Sequence, residues 1–311
     1  MKRVLVFIIC TFSIVLIADI VFGVIVTNYV KSHHLPGRFQ PLDKLIRQTD
    51  AEILLIGNSV IQDAINPQIV EDSIKLSCYN GGIAGQDPFF FETVIDCILQ
   101  RHIPQIIVLG LRPEELGENI GDGIFDVLKP YYHIGFNSID EHFDNMSPDN
   151  RLLLKSSFYQ FNSIWVRILL YSLFDDTKYT NNGFIGSDIP AQIPTIQEID
   201  HVDKPSERKL NCLKRIINKC KEKGVKVYIC FPPCLINFPK DNLPCITAVK
   251  NICEQHQVSF FDDHNDYHFK QTPELFHDAV HLNINGAEIY SRKIASRLKK
   301  ELNNKYSRQR L

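Results

Sequence analysis

Five short, mostly apolar runs constrain this chain most. They occupy 53–56, 76–79, 105–111, 226–231 and 258–261, and each is closed by a turn residue or a proline. A run that does not alternate with polar residues suits a strand covered on both faces. Helical patterns lie between and after the runs, at 67–75, 87–101, 208–223, 242–256 and 285–303. Asp87-Pro88 supplies an N-cap and first turn, Gly224 a C-cap, and Pro232-Pro233 cuts the fourth run. Strands alternating with helices imply an α/β fold with a parallel sheet and helices on both faces.

The alternation stops between about 114 and 207, which reads as an insertion after the third strand. One helix is expected there, at about 151–174. Its Phe158, Phe161, Trp165 and Leu169 form an apolar face, read as core or lid before binding groove. At the other end, Lys2 and Arg3 precede an apolar run from Val4 to about Thr27, interrupted by Asp19. At ~1.5 Å per residue the run exceeds the ~30 Å hydrocarbon layer. The early positive charges place the N-terminus inside and the body outside. No Ala-x-Ala site follows, so an uncleaved anchor is expected over a signal peptide. Asp19 either meets another membrane protein or marks a tilted helix. The expected organisation is an anchor at 1–30, a linker at 31–50, an α/β domain at 51–303 carrying the insertion, and a basic tail at 304–311.

The 311 residues, 44% hydrophobic, suffice for one large domain with an insertion. A net charge of −2 argues against nucleic acid as a partner. Of nine cysteines, Cys10 lies in the apolar run. The other eight read either as buried thiols or as one or two disulfides, with 230–253 the candidate stretch. The segment 262–268 has a metal-like composition, with His264 and His268 four apart, but it reads as a polar loop after a strand. No metal or cofactor is expected.

In open α/β sheets, ligands bind beyond the carboxyl ends of the strands. Ser59 follows the first strand in Gly57-Asn58-Ser59, the loop from Asn80 to Gly85 follows the second, and Arg112 follows the third. Asp278-Ala-Val-His281 follows the fifth. A serine hydroxyl needs an adjacent base to become a nucleophile, and a histidine base needs a carboxylate to fix its tautomer. Ser59 would attack a carbonyl, His281 would take its proton, and Asp278 would orient the imidazole. The amides of Ser59 and Gly85 would hold the oxyanion. Taken alone, Gly-Asn-Ser is an ordinary turn, 277–281 a solvated loop and 80–85 a tight connection. Their combination on one βα pattern points to acyl transfer.

These residues resemble the SGNH (GDSL-like) hydrolase family: Ser59 in Gly57-Asn-Ser59, Gly85 in Asn80-Gly-Gly-Ile-Ala-Gly85, and Asp278-x-x-His281 with Leu282-Asn283 behind it. The resemblance covers about 51–112 and 208–300. It implies a three-layer α/β/α, flavodoxin-like fold and a serine esterase or acyltransferase with Ser59, Asp278 and His281 as its triad. Two departures stand out. Asn58 replaces the family's usual aspartate, and the third strand ends Gly110-Leu-Arg-Pro-Glu114 with no Gly-x-Asn. Asn80 and Arg112 are therefore the further candidate substrate or oxyanion contacts, Arg112 being equally readable as half of a salt bridge. The anchor looks like that of the membrane-tethered branch containing alginate acetylation proteins and the teichoic-acid D-alanine transfer protein. That likeness implies an extracytoplasmic domain acting on acyl groups of a cell-surface glycan, an acylated carbohydrate or small ester as substrate, and a membrane-bound acyltransferase as partner. A non-catalytic component of a surface-polysaccharide machine is the second reading. Hydrolysis and transfer share one covalent intermediate, and the sequence does not separate them.

Overall fold

The computed structural model describes residues 1–119, 125–174, 182–199, 203–238 and 243–308. In chain order its elements are α1 (Lys2–Ser32), α2 (Gln40–Arg47), β1 (Ile53–Gly57), α3 (Ser59–Ala64), α4 (Pro67–Ile74), β2 (Cys78–Gly82), α5 (Pro88–Arg101) and β3 (Ile106–Gly110). There follow α6 (Asn137–Asp144), α7 (Pro148–Leu154), α8 (Ser157–Leu173), α9 (Glu207–Glu222), β4 (Lys226–Phe231), α10 (Pro244–Gln255), β5 (Ser259–Asp262), α11 (Tyr267–Lys270) and α12 (Ile284–Arg308). The chain divides into two compact units. One comprises 1–43 and 125–177, the other 44–124 and 178–311.

The second unit is an α/β fold built on a five-stranded parallel sheet of order β2-β1-β3-β4-β5. This is the flavodoxin-like order, with its switch point between β1 and β3. Because side chains alternate along a strand, each strand feeds two cores. Ile53, Leu55, Ile106, Val108, Tyr228 and Cys230 pack with Val70 of α4 and with Tyr290, Ile294 and Leu298 of α12. The intervening Leu54, Ile56, Ile107, Leu109 and Ile229 are equally buried, and α5, α9 and α10 supply that side.

β2 begins two residues later than the apolar run and continues through Asn80-Gly81-Gly82. Those residues have little apolar surface, but they pair with Leu55, Ile56 and Gly57, so register rather than hydrophobicity extends the strand. The eight cysteines beyond Cys10 are buried free thiols, with no disulfide. In the 262–268 loop, Asp263 accepts hydrogen bonds from Lys293 (2.5 Å) and Arg297 (2.5 and 2.9 Å), and His264 Nδ1 lies 2.5 Å from Asp262. The Asp263 bonds tie the loop to α12. Asn242, where the sequence starts the fourth-to-fifth helix, and 309–311 of the basic tail lie outside the described residues.

The first unit contains the long apolar helix α1, the one described helix long and apolar enough to cross a membrane. The helix expected at 151–174 is in fact two. Ser147 caps α7 through Asn150 N (3.4 Å) and Ser156 caps α8 through Tyr159 N (3.3 Å), so the serine pair at 156–157 starts a new helix rather than continuing one. α8 itself kinks at Asn162 (φ 13°, ψ −124°). Asp19 pairs within its own chain, accepting hydrogen bonds from Ser156 Oγ and from the amides of Ser157 and Phe158.

Candidate active site

Parallel pairing in register brings Gly57, Gly82 and Gly110 side by side at the carboxyl edge of the sheet. The absence of side chains there lets α3 sit directly on the edge. A Cβ on Gly110 would fall 1.9 Å from Ile61 Cδ1, one on Gly57 2.5 Å from Ile61 Cγ1, and one on Gly82 2.4 Å from the Gln62 amide. α3 starts at Ser59 because Asn58 caps it, its Oδ1 accepting from Val60 N at 3.0 Å. Ser59 is thus the first helical residue.

The histidine arrives on a self-closed loop. Phe276 bridges Leu282, and the His277 amide donates to the His281 carbonyl at 2.8 Å. Inside it, Asp278 Oδ1 accepts from the amides of Val280 (2.8 Å) and His281 (2.9 Å), an Asx turn that fixes the carboxylate relative to the imidazole. Asn283 anchors the loop's exit. Its Nδ2 donates to the carbonyls of Glu274 (2.7 Å) and Phe276 (3.2 Å), while its Oδ1 caps α12 through the amides of Asn285 and Gly286.

The two segments meet. Ser59 Oγ lies 2.8 Å from His281 Nε2, and His281 Nδ1 lies 2.8 and 3.0 Å from the two oxygens of Asp278. With Nδ1–H donated to the carboxylate, Nε2 presents a lone pair to the Ser59 hydroxyl. Burial pushes the Asp278 carboxyl up, but the His281 hydrogen bond and the two backbone amides outweigh it and hold the group well below the usual carboxylate range. Among the described residues, the amides of Ser59 and Gly85 have no acceptor. Gly85 is exposed and in the left-handed region (φ 75°), where its amide turns away from the strand ladder.

Asn80 does not reach this site. It is fully buried, its Nδ2 donating to the carbonyls of Ile61 (2.8 Å) and Ile65 (2.7 Å) and its Oδ1 accepting from the Gly82 amide (2.9 Å). Every polar atom of the side chain is spent on seating α3 against β2, which excludes it as a substrate or oxyanion contact. Arg112 is held in the ion pair that the sequence left open, with Nε 3.0 Å from Glu114 and 3.4 Å from Glu115.

Sequence reasoning missed Glu115. Its carboxylate accepts from the Arg112 amide (3.1 Å) and from Asn58 Nδ2, so it links the cap of the serine helix to the end of β3. Burial pushes its carboxyl up to about 7, against the opposing pull of Arg112. The departure at Asn58 was the available signal, since a neutral amide can donate to a buried carboxyl where an aspartate cannot. Beside Ser59 and His281, a small groove is lined by Val60, Arg112, Glu114, Pro232, Pro233 and Val280.

No protein-family model matches the chain, and no curated protein matches it. Solved structures do. A Bacillus subtilis protein, YXIM, is 13% identical with a TM-score of 0.43, over 81% of this chain and 57% of that one. The psychrotrophic esterase EstA of Pseudoalteromonas sp. is 11% identical with a TM-score of 0.42, over 81% of this chain and 99% of its own. The acetyl xylan esterase AlAXEase is 14% identical with a TM-score of 0.40, over 80% and 98%. The chain therefore spans just over half of the first and nearly all of the other two.

Proposed function

We propose that this chain is a membrane-anchored serine esterase or acyltransferase that passes an acyl group, acetyl foremost, of a cell-surface glycan through Ser59. The observation that carries the proposal is the 2.8 Å contact between Ser59 Oγ and His281 Nε2, with Asp278 at 2.8 Å behind the imidazole. As Ser59 Oγ attacks the ester carbonyl carbon, its proton passes to His281 Nε2. The negative charge moves onto the carbonyl oxygen, facing the amides of Ser59 and Gly85. The intermediate collapses, the C–O bond to the sugar breaks, and the imidazolium returns its proton to the departing alkoxide. Water or a second sugar hydroxyl then attacks the Ser59 ester, giving its proton to His281, and Ser59 is regenerated when that proton comes back. Asp278 keeps Nδ1 protonated throughout.

Anchoring is supported by the length of α1 and by the use made of Asp19. Removal of α1 would strip the cap from Ser156, Ser157 and Phe158. A signal peptide has no such structural duty in the mature chain. With Lys2 and Arg3 retained inside, the α/β unit faces the extracytoplasmic side.

A fluorophosphonate probe tests the proposal. The full-length chain should label, and Ser59→Ala should abolish labelling while leaving the fold intact by circular dichroism. Acetylated oligosaccharides, supplied with and without a free sugar acceptor, then separate acetate release from acetyl transfer. An unlabelled wild type would refute the catalytic reading. It would favour a non-catalytic component of a surface-polysaccharide machine, a reading to which the engagement of Arg112 by Glu114 and Glu115 lends weight.

A further inference from the structure

α8 has no part in the proposed reaction; it packs against α1 and α7 and, through Gln160 and Tyr171, against the segment at 129–132 and Gly37. Asp19 satisfies donors at the start of α8 through three hydrogen bonds of 2.9, 3.0 and 2.6 Å. One turn on, the ring of Phe22 meets Phe158 at 5.1 Å, Trp165 at 5.8 Å and Phe161 at 6.3 Å between centroids. Gly23 passes so close beneath Ser157 that a Cβ would come within 2.1 Å of Oγ. Tyr29 Oη lies 3.2 Å from Ser172 Oγ. Residue numbers rise together along both helices, so they run side by side in the same direction, and depth along α1 sets depth along α8.

The exposed side of α8 is largely apolar. Trp165, Leu169, Leu170, Leu173 and Phe174 are exposed, from 40% at Trp165 to 69% at Phe174. Leu152 and Leu153 extend the patch onto α7. After Asp149, every charged residue up to Phe174 is basic: Arg151, Lys155 and Arg167. An apolar helix face that carries Lys155 and Arg167 with a tryptophan between them, and no acidic residue from 150 to 174, has the composition of a segment seated at a lipid interface.

We propose that α8 is itself a lipid-facing helix, entering beside α1 the leaflet from which α1 emerges. This rests on the reading of α1 as a membrane anchor. Asp19 stands eight residues before Thr27, so the start of α8 lies ~12 Å inside the end of the apolar run. Trp165, whose ring meets Phe22 five residues before Thr27, then lies ~7–8 Å inside that edge, Ser172 stands level with Tyr29 just beyond it, and Arg167 between them reaches the phosphates by snorkelling. The intramembrane carboxylate, costly when bare, is bonded at both oxygens. The chain thus holds the membrane by a long helix and a half-inserted one.

Trp165 is the sole tryptophan of the chain, which makes the test direct. The full-length protein is reconstituted in vesicles of phosphatidylcholine and phosphatidylglycerol whose acyl chains carry bromine at defined depths. Trp165 emission should be blue-shifted and lose most of its intensity to bromines near the head group. Phe158→Trp in a Trp165→Phe background should be quenched best by deeper bromines. Emission untouched by bromolipid but open to aqueous iodide would overturn the proposal, as would equal depth at the two positions. Quenching that emerges only on dilution of protein in the bilayer would assign the face to a second copy of the chain. Alkaline extraction and vesicle flotation read the anchor separately. A chain that floats with a water-exposed Trp165 overturns the placement of α8 alone, whereas a chain that does not float overturns the anchored reading as well.

Discussion

Replacing Asp278 by Asn tests the proposed chemistry most sharply, because it changes the tautomer and little else. Asn Oδ1 can keep both backbone amides that Asp278 now accepts from, those of Val280 and His281. The amide nitrogen then faces His281 Nδ1, where a carboxylate oxygen stands at 2.8 Å. Two donors cannot share that contact, so the imidazole proton moves to Nε2, and Nε2 can no longer take the proton of Ser59. Loss of the wrong-tautomer kind costs about 10⁴ in kcat in the best-studied triads. Two contributions make up such a loss, and exposure weakens one of them here. The Asp278 side chain is 48% exposed, so its charge stabilises the imidazolium through partly aqueous surroundings, worth ~1–4 kcal/mol at contact range. The tautomer effect does not depend on dielectric. The expected fall is therefore roughly 10³-fold in kcat, about 4 kcal/mol in activation free energy, with KM little changed. Ester hydrolysis of p-nitrophenyl acetate and the rate of fluorophosphonate labelling should fall together. If Asp278→Asn retained activity within a few-fold of the wild type, His281 would not be acting through Nε2 and the reasoning would fail. Asp278 is held below the usual carboxylate range, so lowering the pH through that range leaves it ionised.

The glycine edge makes a second prediction. Gly110→Ala puts a methyl 1.9 Å from Ile61 Cδ1, so the Ile61 side chain must give way and disturb the seat of α3. Stability should fall by ~1–3 kcal/mol in thermal denaturation, activity should fall further, and Ile61→Val should restore part of both. Glu115→Gln should change pH dependence. The Glu115 carboxyl is raised from 4.5 to about 7 in the folded chain, so the folded state holds that proton more tightly. Stability then declines as pH rises from the lower value through the upper, by about 3 kcal/mol. Denaturant midpoints taken near pH 5 and near pH 8 should converge in the Gln variant, and an unchanged slope would remove Glu115 as its source.

Much of the fold was legible because a buried parallel strand writes itself as an unbroken apolar run. β1, β3 and β4 announce themselves in that way, and Asp87-Pro88 and Gly224 mark helix ends whose reasons are local. β2 was misjudged at its end because Asn80, Gly81 and Gly82 are in the sheet for the sake of α3, a neighbour unseen in a linear reading. Asn80 shows the same limit. A polar residue at the head of a glycine loop looks available to substrate, yet its amide is consumed by the carbonyls of Ile61 and Ile65. Ser59, Asp278 and His281 were picked out by spacing and residue chemistry, whereas their 2.8 Å approach depends on a strand order that no spacing encodes. Glu115 was invisible because its importance comes from burial, and burial of the second of two glutamates after a proline has no sequence signature.

The eight thiols in the core carry a consequence for handling the protein. Burial pushes Cys234 and Cys245 up to about 11 and Cys220 and Cys253 up to about 12, so the native chain offers oxidants almost no thiolate. Unfolding returns all of them to ordinary acidity at once, with no native cross-link to restrict their partners. In air or in an oxidising compartment, each excursion out of the native state then risks being trapped by mispaired sulfurs before it can reverse. Durability outside a reducing environment should follow the rate of opening rather than its equilibrium, and reductant should extend the lifetime of the protein without altering its melting temperature.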